Sequence, residues 1–271
     1  MILTEGDLMT EQEKTTIREN IAEIKERAAL SARASGRNAE DIRIVLATKT
    51  QPAEKINFAA ECGITEIGEN RVQELLEKYD AIDREKLKIH FIGTLQSNKV
   101  KYIIDKVCLI HSVNSEKLAL EISKQAKKHG ICAEVLVEVN AVEENSKTGI
   151  ALDGLYSLLS YISTLENIKV RGLMAIPPAP QNPQILQNTA SEESSIVNKL
   201  QINDNSRHYF KKIRQIFLDI SAKKMDNISM DILSLGMSAD YSVAIEEGSN
   251  LIRPGRAVFG ERQKTIPKET L

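Results

Sequence analysis

Short apolar runs alternate along the chain with longer runs of helical period. The apolar runs lie at 42–48, 66–68, 89–92, 108–112, 134–140, 169–175 and 231–235, with a last strand at Leu251 or over 257–260. They read as strands, and the first, which closes at Lys49, lacks the polar alternation of a half-exposed sheet and reads as buried on both faces. Amphipathic helix patterns fall between them at 52–62, 71–79, 97–106, 115–128, 153–163, 207–224 and 239–247. One more helix precedes the series over 10–34: Ile17, Ile21, Ile24 and Ala28 form its apolar stripe, Thr10 and Glu13 stand at capping-box spacing, and Gly36 ends it.

Such alternation predicts a parallel sheet. About eight βα units in a chain of 271 residues favour a closed (β/α)8 TIM barrel, an α/β fold, over an open doubly wound sheet. The doubly wound alternative wants a glycine-rich turn after its first strand, where this chain has Thr50-Gln51-Pro52. The predicted organisation is an N-terminal helical segment over 1–36 packed on the barrel, the barrel over 37–262 and a tail over 263–271. Residues 178–206, rich in Pro, Asn, Gln and Ser, break the rhythm and predict a poorly ordered surface insertion.

Composition narrows the function classes. Apolar residues at 42% and charged residues at 27% suit a chain with a real core, and a net charge of −2 argues against nucleic acid or an anionic membrane as partner. No apolar run reaches the roughly 18 residues needed to span a bilayer, and the first residues lack a signal peptide's basic start and apolar core. The cysteines, Cys62, Cys108 and Cys132, are odd in number and widely spaced, without metal-ligand spacing. They read as buried thiols of a reducing compartment, so the expected location is cytoplasmic.

Candidate chemistry gathers at strand ends. Lys49 closes the apolar run "IVLATKTQP". It is either a solvated strand-end lysine or an amine held at the barrel mouth for imine chemistry. In barrels of this kind catalytic groups stand at the C-terminal ends of strands, and a phosphate commonly lodges after the seventh and eighth. After the seventh predicted strand comes Gly236-Met237-Ser238-Ala239-Asp240, and with the eighth comes Arg253-Pro254-Gly255-Arg256. Backbone N–H groups and the Ser238 hydroxyl could hold an anion there, and Gly255 lets a ligand approach the backbone. Ser238 could equally cap a helix, Arg253 could pair with an acid, and Asn70 could cap the helix that begins at Arg71. An aldehyde bearing a phosphate would use the lysine, the nest and the arginine together.

Seven stretches in order carry a resemblance: "ATKTQP", "IGENRVQE", "HFIGTLQSNK", "HSVNS", "VNAVEENSKTGI", "RGLMAIPP" and "LSLGMSADYSVAIEEGSNLIRPGRAVFG". With these the chain resembles the pyridoxal phosphate homeostasis proteins, the YggS/PROSC family, from about residue 42 to 260 outside the polar insertion. That family looks like the barrel half of alanine racemase, a fold-type III pyridoxal phosphate (PLP) protein, without the C-terminal β domain. The resemblance implies that Lys49 forms an aldimine with PLP, that Met237, Ser238, Gly255 and the backbone of Arg256 lie at its phosphate, and that Arg253 faces its pyridine nitrogen. A cation there disfavours protonation of the ring and so weakens its use as an electron sink. Asn70 is expected at the cofactor's face, with Lys147 a further family lysine. The chain departs from the family at Thr94, where a histidine is usual, near Ile89, where a Trp is usual, and at Arg256, where a Thr or similar small residue is usual.

Three functions remain open at this point. The resemblance implies an intracellular PLP-binding protein of PLP homeostasis, a monomer or weak homodimer that serves PLP-dependent apoenzymes and is not an enzyme in its own right. A PLP-dependent amino-acid racemase or decarboxylase would use the same lysine but needs a second base, for which His111 is the candidate in a partnering motif near a strand end. A cofactor-free Schiff-base aldolase would leave the Ser238/Gly255 nest without a purpose.

Overall fold

Eight of the strands expected from the apolar runs form, all parallel, and they close on one another. The structure, a computed structural model, describes residues 9–141, 148–178 and 192–260. Strands β1 (Arg43–Ala47), β2 (Glu66–Glu69), β3 (Lys88–Phe91), β4 (Leu109–Val113) and β5 (Ala133–Asn140) follow in order, with a two-residue β6 (Ile150–Ala151) paired to the end of β5. Then come β7 (Ile168–Met174), β8 (Ile228–Ser234) and β9 (Leu251–Ile252). The order β4-β3-β2-β1-β9-β8-β7-β5, with β4 also paired to β5, closes a (β/α)8 barrel.

Side chains sort by face. Val45, Leu109, Leu136, Met174, Ile232 and Leu251 meet inside the barrel as one apolar cluster with Ile92. A second, larger cluster lies between barrel and helices, which is why the strands carry apolar residues on both faces. The helices are α1 (Glu11–Ala34), α2 (Ala53–Glu61), α3 (Val72–Lys78), α4 (Glu116–His129), α5 (Leu152–Ser163), α6 (Glu192–Ser221), α7 (Tyr241–Glu246) and α8 (Arg256–Phe259). The capping box of α1 forms as its sequence predicts: Thr10 Oγ1 accepts from the Glu13 N–H at 3.2 Å and Glu13 accepts from the Thr10 N–H at 2.9 Å. Its buried stripe, Ile17, Ile21, Ile24 and Ala28, packs α1 against α7 and α8. Among the described residues no helix is long and apolar enough to cross a membrane.

Four sequence expectations change. The last barrel strand is Leu251–Ile252, and the alternative strand over 257–260 is instead helix α8, because Pro254 and Gly255 break the strand and Gly255 takes the N-cap position. The helix pattern over 97–106 is a 3-10 helix, Ser97–Tyr102. Helix α6 begins at Glu192, inside the stretch read as an insertion. Buried Tyr209, Phe210, Ile213 and Ile220 anchor it, and a helix once nucleated extends at little cost per residue. Finally, the thiols are not buried as expected: Cys62 is half-buried, and Cys108 and Cys132 are exposed. The last two directly precede β4 and β5, so they stand on the barrel's rim rather than in its core.

Candidate functional site

Lys49 sits two residues beyond β1, half-buried, in a turn closed by the Gln51 N–H on the Thr48 carbonyl at 3.0 Å. Thr50 takes a φ of +66°, a left-handed conformation uncommon for a β-branched residue and found where the surroundings hold it in place. The holding group is Lys78 at the end of α3. Its Nζ donates to the carbonyls of Thr48 (3.0 Å) and Gln51 (3.2 Å) and pairs with Glu69 Oε1 at 2.8 Å. Thr48 Oγ1 donates to the same carboxylate oxygen. Glu69 is fully buried, and burial pushes its carboxyl up against the opposing pull of Lys78. Neither Lys78 nor Glu69 was singled out from the sequence, since a lysine on an amphipathic helix reads as solvated.

Strand order explains what meets Lys49. Strand β9 lies between β1 and β8, so the chain leaving it passes between Lys49 and the loop after β8. The Ala47 N–H donates to the Pro254 carbonyl at 2.7 Å, and the Arg253 N–H donates to the Gly236 carbonyl at 2.9 Å. A Cβ on Gly255 would stand 3.0 Å from the Ala47 carbonyl oxygen, and one on Gly236, at a φ of +89°, would stand 2.6 Å from the Ala244 Cβ. Both turns therefore need glycine to close.

Ser238 does not cap the helix that follows it, α7, whose N-cap is Asp240. Its Oγ accepts from the N–H groups of Gly255 (3.0 Å) and Ala257 (3.1 Å), tying the loop after β8 to the first turn of α8. Met237 beside it is exposed and donates its N–H to Asp240, whose carboxyl burial pushes up. Arg256 begins α8 with its side chain in solvent. Thr94 is likewise exposed, in the loop after β3.

Arg253 is 4% exposed and lies across the barrel mouth. Nη1 donates to the Ser234 carbonyl at 2.7 Å and to Ser234 Oγ, and Nη2 donates to the Ala175 carbonyl at 3.1 Å. Among the described residues no carboxylate comes within ion-pair distance of it, so the simple acid partner weighed from sequence is absent. Burial pushes the guanidinium down to about 10, with Asp240 and Glu138 pulling the other way. It stays a cation at neutral pH.

Buried oxygens without a hydrogen-bond partner among the described residues stand near this mouth, among them Glu69 Oε2, Asn70 Oδ1 and Glu138 Oε2. Asn70 follows β2 and does not cap α3, whose N-cap is Arg71. Its backbone packs so closely on Gly93 that a Cβ there would stand 2.1 Å from the Asn70 carbonyl oxygen. Glu138, on β5, accepts from Thr148 at 2.6 Å through its other oxygen, and burial raises its carboxyl. An acid inside the apolar run "EVLVEVN" was the signal that could have found it. Lys147 lies outside the described residues. His111 does not stand at the mouth as its motif suggested: it is in the middle of β4, fully buried, and cannot reach a substrate as a base.

Comparison with known proteins shows the family to which the chain belongs. The family model described as alanine racemase, N-terminal domain, matches residues 14–263. A pyridoxal phosphate homeostasis protein of Aquifex aeolicus is 40% identical over 245 residues, covering 90% of this chain and 98% of that protein. Among solved structures, a protein of Bifidobacterium adolescentis described as unknown superposes with a TM-score of 0.80 at 30% identity, over 93% of this chain and 98% of its own. PipY of Synechococcus elongatus, solved with PLP bound, superposes with a TM-score of 0.71 at 26% identity, over 90% of this chain and 100% of its own. With matches of near full length and a closed barrel, the chain belongs to the pyridoxal phosphate homeostasis family, built on the alanine racemase N-terminal barrel.

Proposed function

We propose that this chain binds PLP, holds it on Lys49 and serves to keep the free cofactor in balance inside the cell. The observation that carries the reading is the convergence, on one barrel mouth, of an amine (Lys49), a buried cation (Arg253) and the Ser238 hydroxyl, which the N–H groups of Gly255 and Ala257 hold in place. The donor set fits: PLP carries an aldehyde, a pyridine nitrogen and a phosphate, and the unpartnered Asn70 Oδ1 supplies a further polar contact. PLP's aldehyde condenses with a primary amine with loss of water. Lys78 orients the turn that carries Lys49, Arg253 keeps a positive charge where the ring nitrogen would lie, and Gly255 leaves room for the phosphate against the backbone. The exposed guanidinium of Arg256 puts a cation beside that phosphate, where the family usually has a small residue.

A holding role fits better than turnover. Racemisation needs a second base opposite the lysine, and His111, the histidine weighed for it, is sealed inside the barrel. PLP-dependent apoenzymes in the cytoplasm are the natural recipients of the held cofactor. The test is to incubate the protein and PLP with a panel of amino acids in deuterated buffer and follow exchange at the α-carbon, alongside PLP retention by equilibrium dialysis. Retention without exchange supports the reading, whereas sustained exchange would make the chain an enzyme, and failure to retain PLP would remove the cofactor altogether.

A further inference from the structure

Below Arg253 a line of polar groups runs down the barrel's interior, through a layer that the sequence pattern assigns to apolar side chains. Ser234 Oγ, which receives the Arg253 hydrogen bond, lies 3.1 Å from His111 Nδ1. His111 Nε2 lies 3.0 Å from His90 Nδ1, with the two rings nearly edge to face at 62°. His90 Nε2 lies 3.6 Å from Glu66 Oε2, past hydrogen-bond length but facing it with no nearer partner among the described residues. Arg43 grips Glu66 through Nε and Nη2 at 2.9 to 3.2 Å. Glu66 and Arg43 line a cavity of about 290 Å³ at the opposite mouth of the barrel with Lys88, Glu134 and Arg171. Ser234, His111 and His90 have no exposed surface beyond 0%.

The ends of the line fix its direction. A guanidinium only donates, and a carboxylate only accepts. Ser234 Oγ has two lone pairs and could accept from both Arg253 and His111, so the Glu66 end decides: with the His90 proton on Nε2, the bare His111 Nδ1 takes the Ser234 proton. His111 must then carry its proton on Nε2 and donate to His90 Nδ1. His90 in turn carries its proton on Nε2, aimed at Glu66, where a bare lone pair would face a negative charge. Any other arrangement sets two lone pairs or two protons against each other in a buried layer, which is costly.

We propose that Ser234, His111, His90 and Glu66 are positioning residues for Arg253: a one-way line of hydrogen bonds, with both imidazoles in the Nε2–H tautomer, that braces the guanidinium from below and so sets how it meets a ligand at the mouth. The ligand part of this inference rests on the PLP reading above, whereas the line itself does not. A braced guanidinium has Nη1 and one side of Nη2 committed to Ser234 and Ala175 and presents its remaining N–H groups in a fixed direction. This is the arrangement expected of a rigid contact to a planar ring rather than of a mobile counter-ion.

The line is tested on the cofactor-free full chain, 15N-labelled, in a His129→Gln/His208→Gln background that removes the two exposed histidines. Long-range 15N–1H correlation spectra are expected to place a proton on Nε2 of both remaining rings. A proton on Nδ1 of either ring would overturn the proposal. Ser234→Ala, which cuts the line under Arg253, is expected to weaken PLP retention roughly tenfold, the scale of a lost hydrogen bond to a charged group, and to move the absorbance band of bound PLP, with Ser234→Thr restoring both. Retention and band unchanged in Ser234→Ala would contradict the bracing role. Should Ser234→Ala fail to fold, Glu66→Gln gives the second arm: its amide can donate as well as accept, and the expected result is mixed tautomers at His90, against which an unchanged single tautomer would count. If the wild type retains no PLP, the PLP reading falls and the tautomer result still decides the line.

Discussion

Burial at single positions dictates how this protein responds to acid. His90 is pushed down to about 3 by burial, then by the charges of Arg43 and Lys88. His111 is pushed well below its ordinary 6.5 by burial, then by His90, Arg253 and Arg43. Rings that stay neutral in the fold but accept protons when unfolded make the unfolded chain the greater proton binder below pH about 6.5. Their contribution to stability is complete above that pH and is lost as pH falls toward 3, by up to about 1.4 kcal/mol per pH unit for each ring. Glu69, Glu138 and Asp240, whose carboxyls are raised by burial, act with the opposite sign, since the fold favours their protonated forms and loses that advantage as pH rises. The comparison that isolates the imidazoles is denaturant unfolding from pH 7.5 to 5 of wild type against His111→Asn. The variant's stability should fall less steeply with acid, and matching slopes would contradict the account. At this scale the placement of Lys49, Arg253, Ser238 and Gly255 around one barrel mouth was legible in the sequence, because each stands at a strand end or a tight turn. Glu69, Lys78, Ser234 and the histidine line were not, because a polar residue inside a short strand or on a helix face reveals its role only when its partners arrive from other elements.

Among the elements, the turn after β1 depends on a neighbour. Lys78 holds the Thr48 and Gln51 carbonyls and the buried Glu69 together, so Lys78→Met leaves an unpaired carboxyl in the core. The expected loss is about 3 to 5 kcal/mol by chemical denaturation, and adding Glu69→Gln should recover part of it, because the uncompensated charge is then gone. Additive effects of the two substitutions would contradict the pairing. The capping box of α1 makes a smaller prediction: Thr10→Ala should cost about 1 kcal/mol, read from the unfolding midpoint at constant slope. Helix α1, its cap and the barrel strands before the last could be read from periodicity alone, since each carries its own pattern. The two ends that misled were those where the pattern is silent. Helix α6 starts within a polar stretch that no apolar stripe announces, and the chain after Pro254 turns to helix over four residues that are as apolar as a strand.

For the whole molecule, barrel closure by β4 on β5 gathers groups from β1, β2, β5, β8 and β9 at one mouth, although the sequence separates Lys49 from Gly255 by most of its length. A ligand bound there by several strands should stabilise the whole barrel. At about a hundredfold excess of PLP over its dissociation constant, the expected gain is about 2.7 kcal/mol, or a rise of roughly 5 to 10 °C in unfolding temperature; no rise would speak against a site at this mouth. The fold class was legible because eight βα units leave few alternatives, whereas the mouth's inner layer depends on which strands become neighbours, and one sequence does not state that. The most direct measurement of the central claim is the absorbance spectrum of the purified protein with PLP, beside Lys49→Ala, followed by borohydride reduction and peptide mass analysis. The account predicts a visible band in the wild type that the variant lacks, with the reduced cofactor mass on the peptide that carries Lys49. A wild type that forms no adduct, or one that carries it on another lysine, would contradict it.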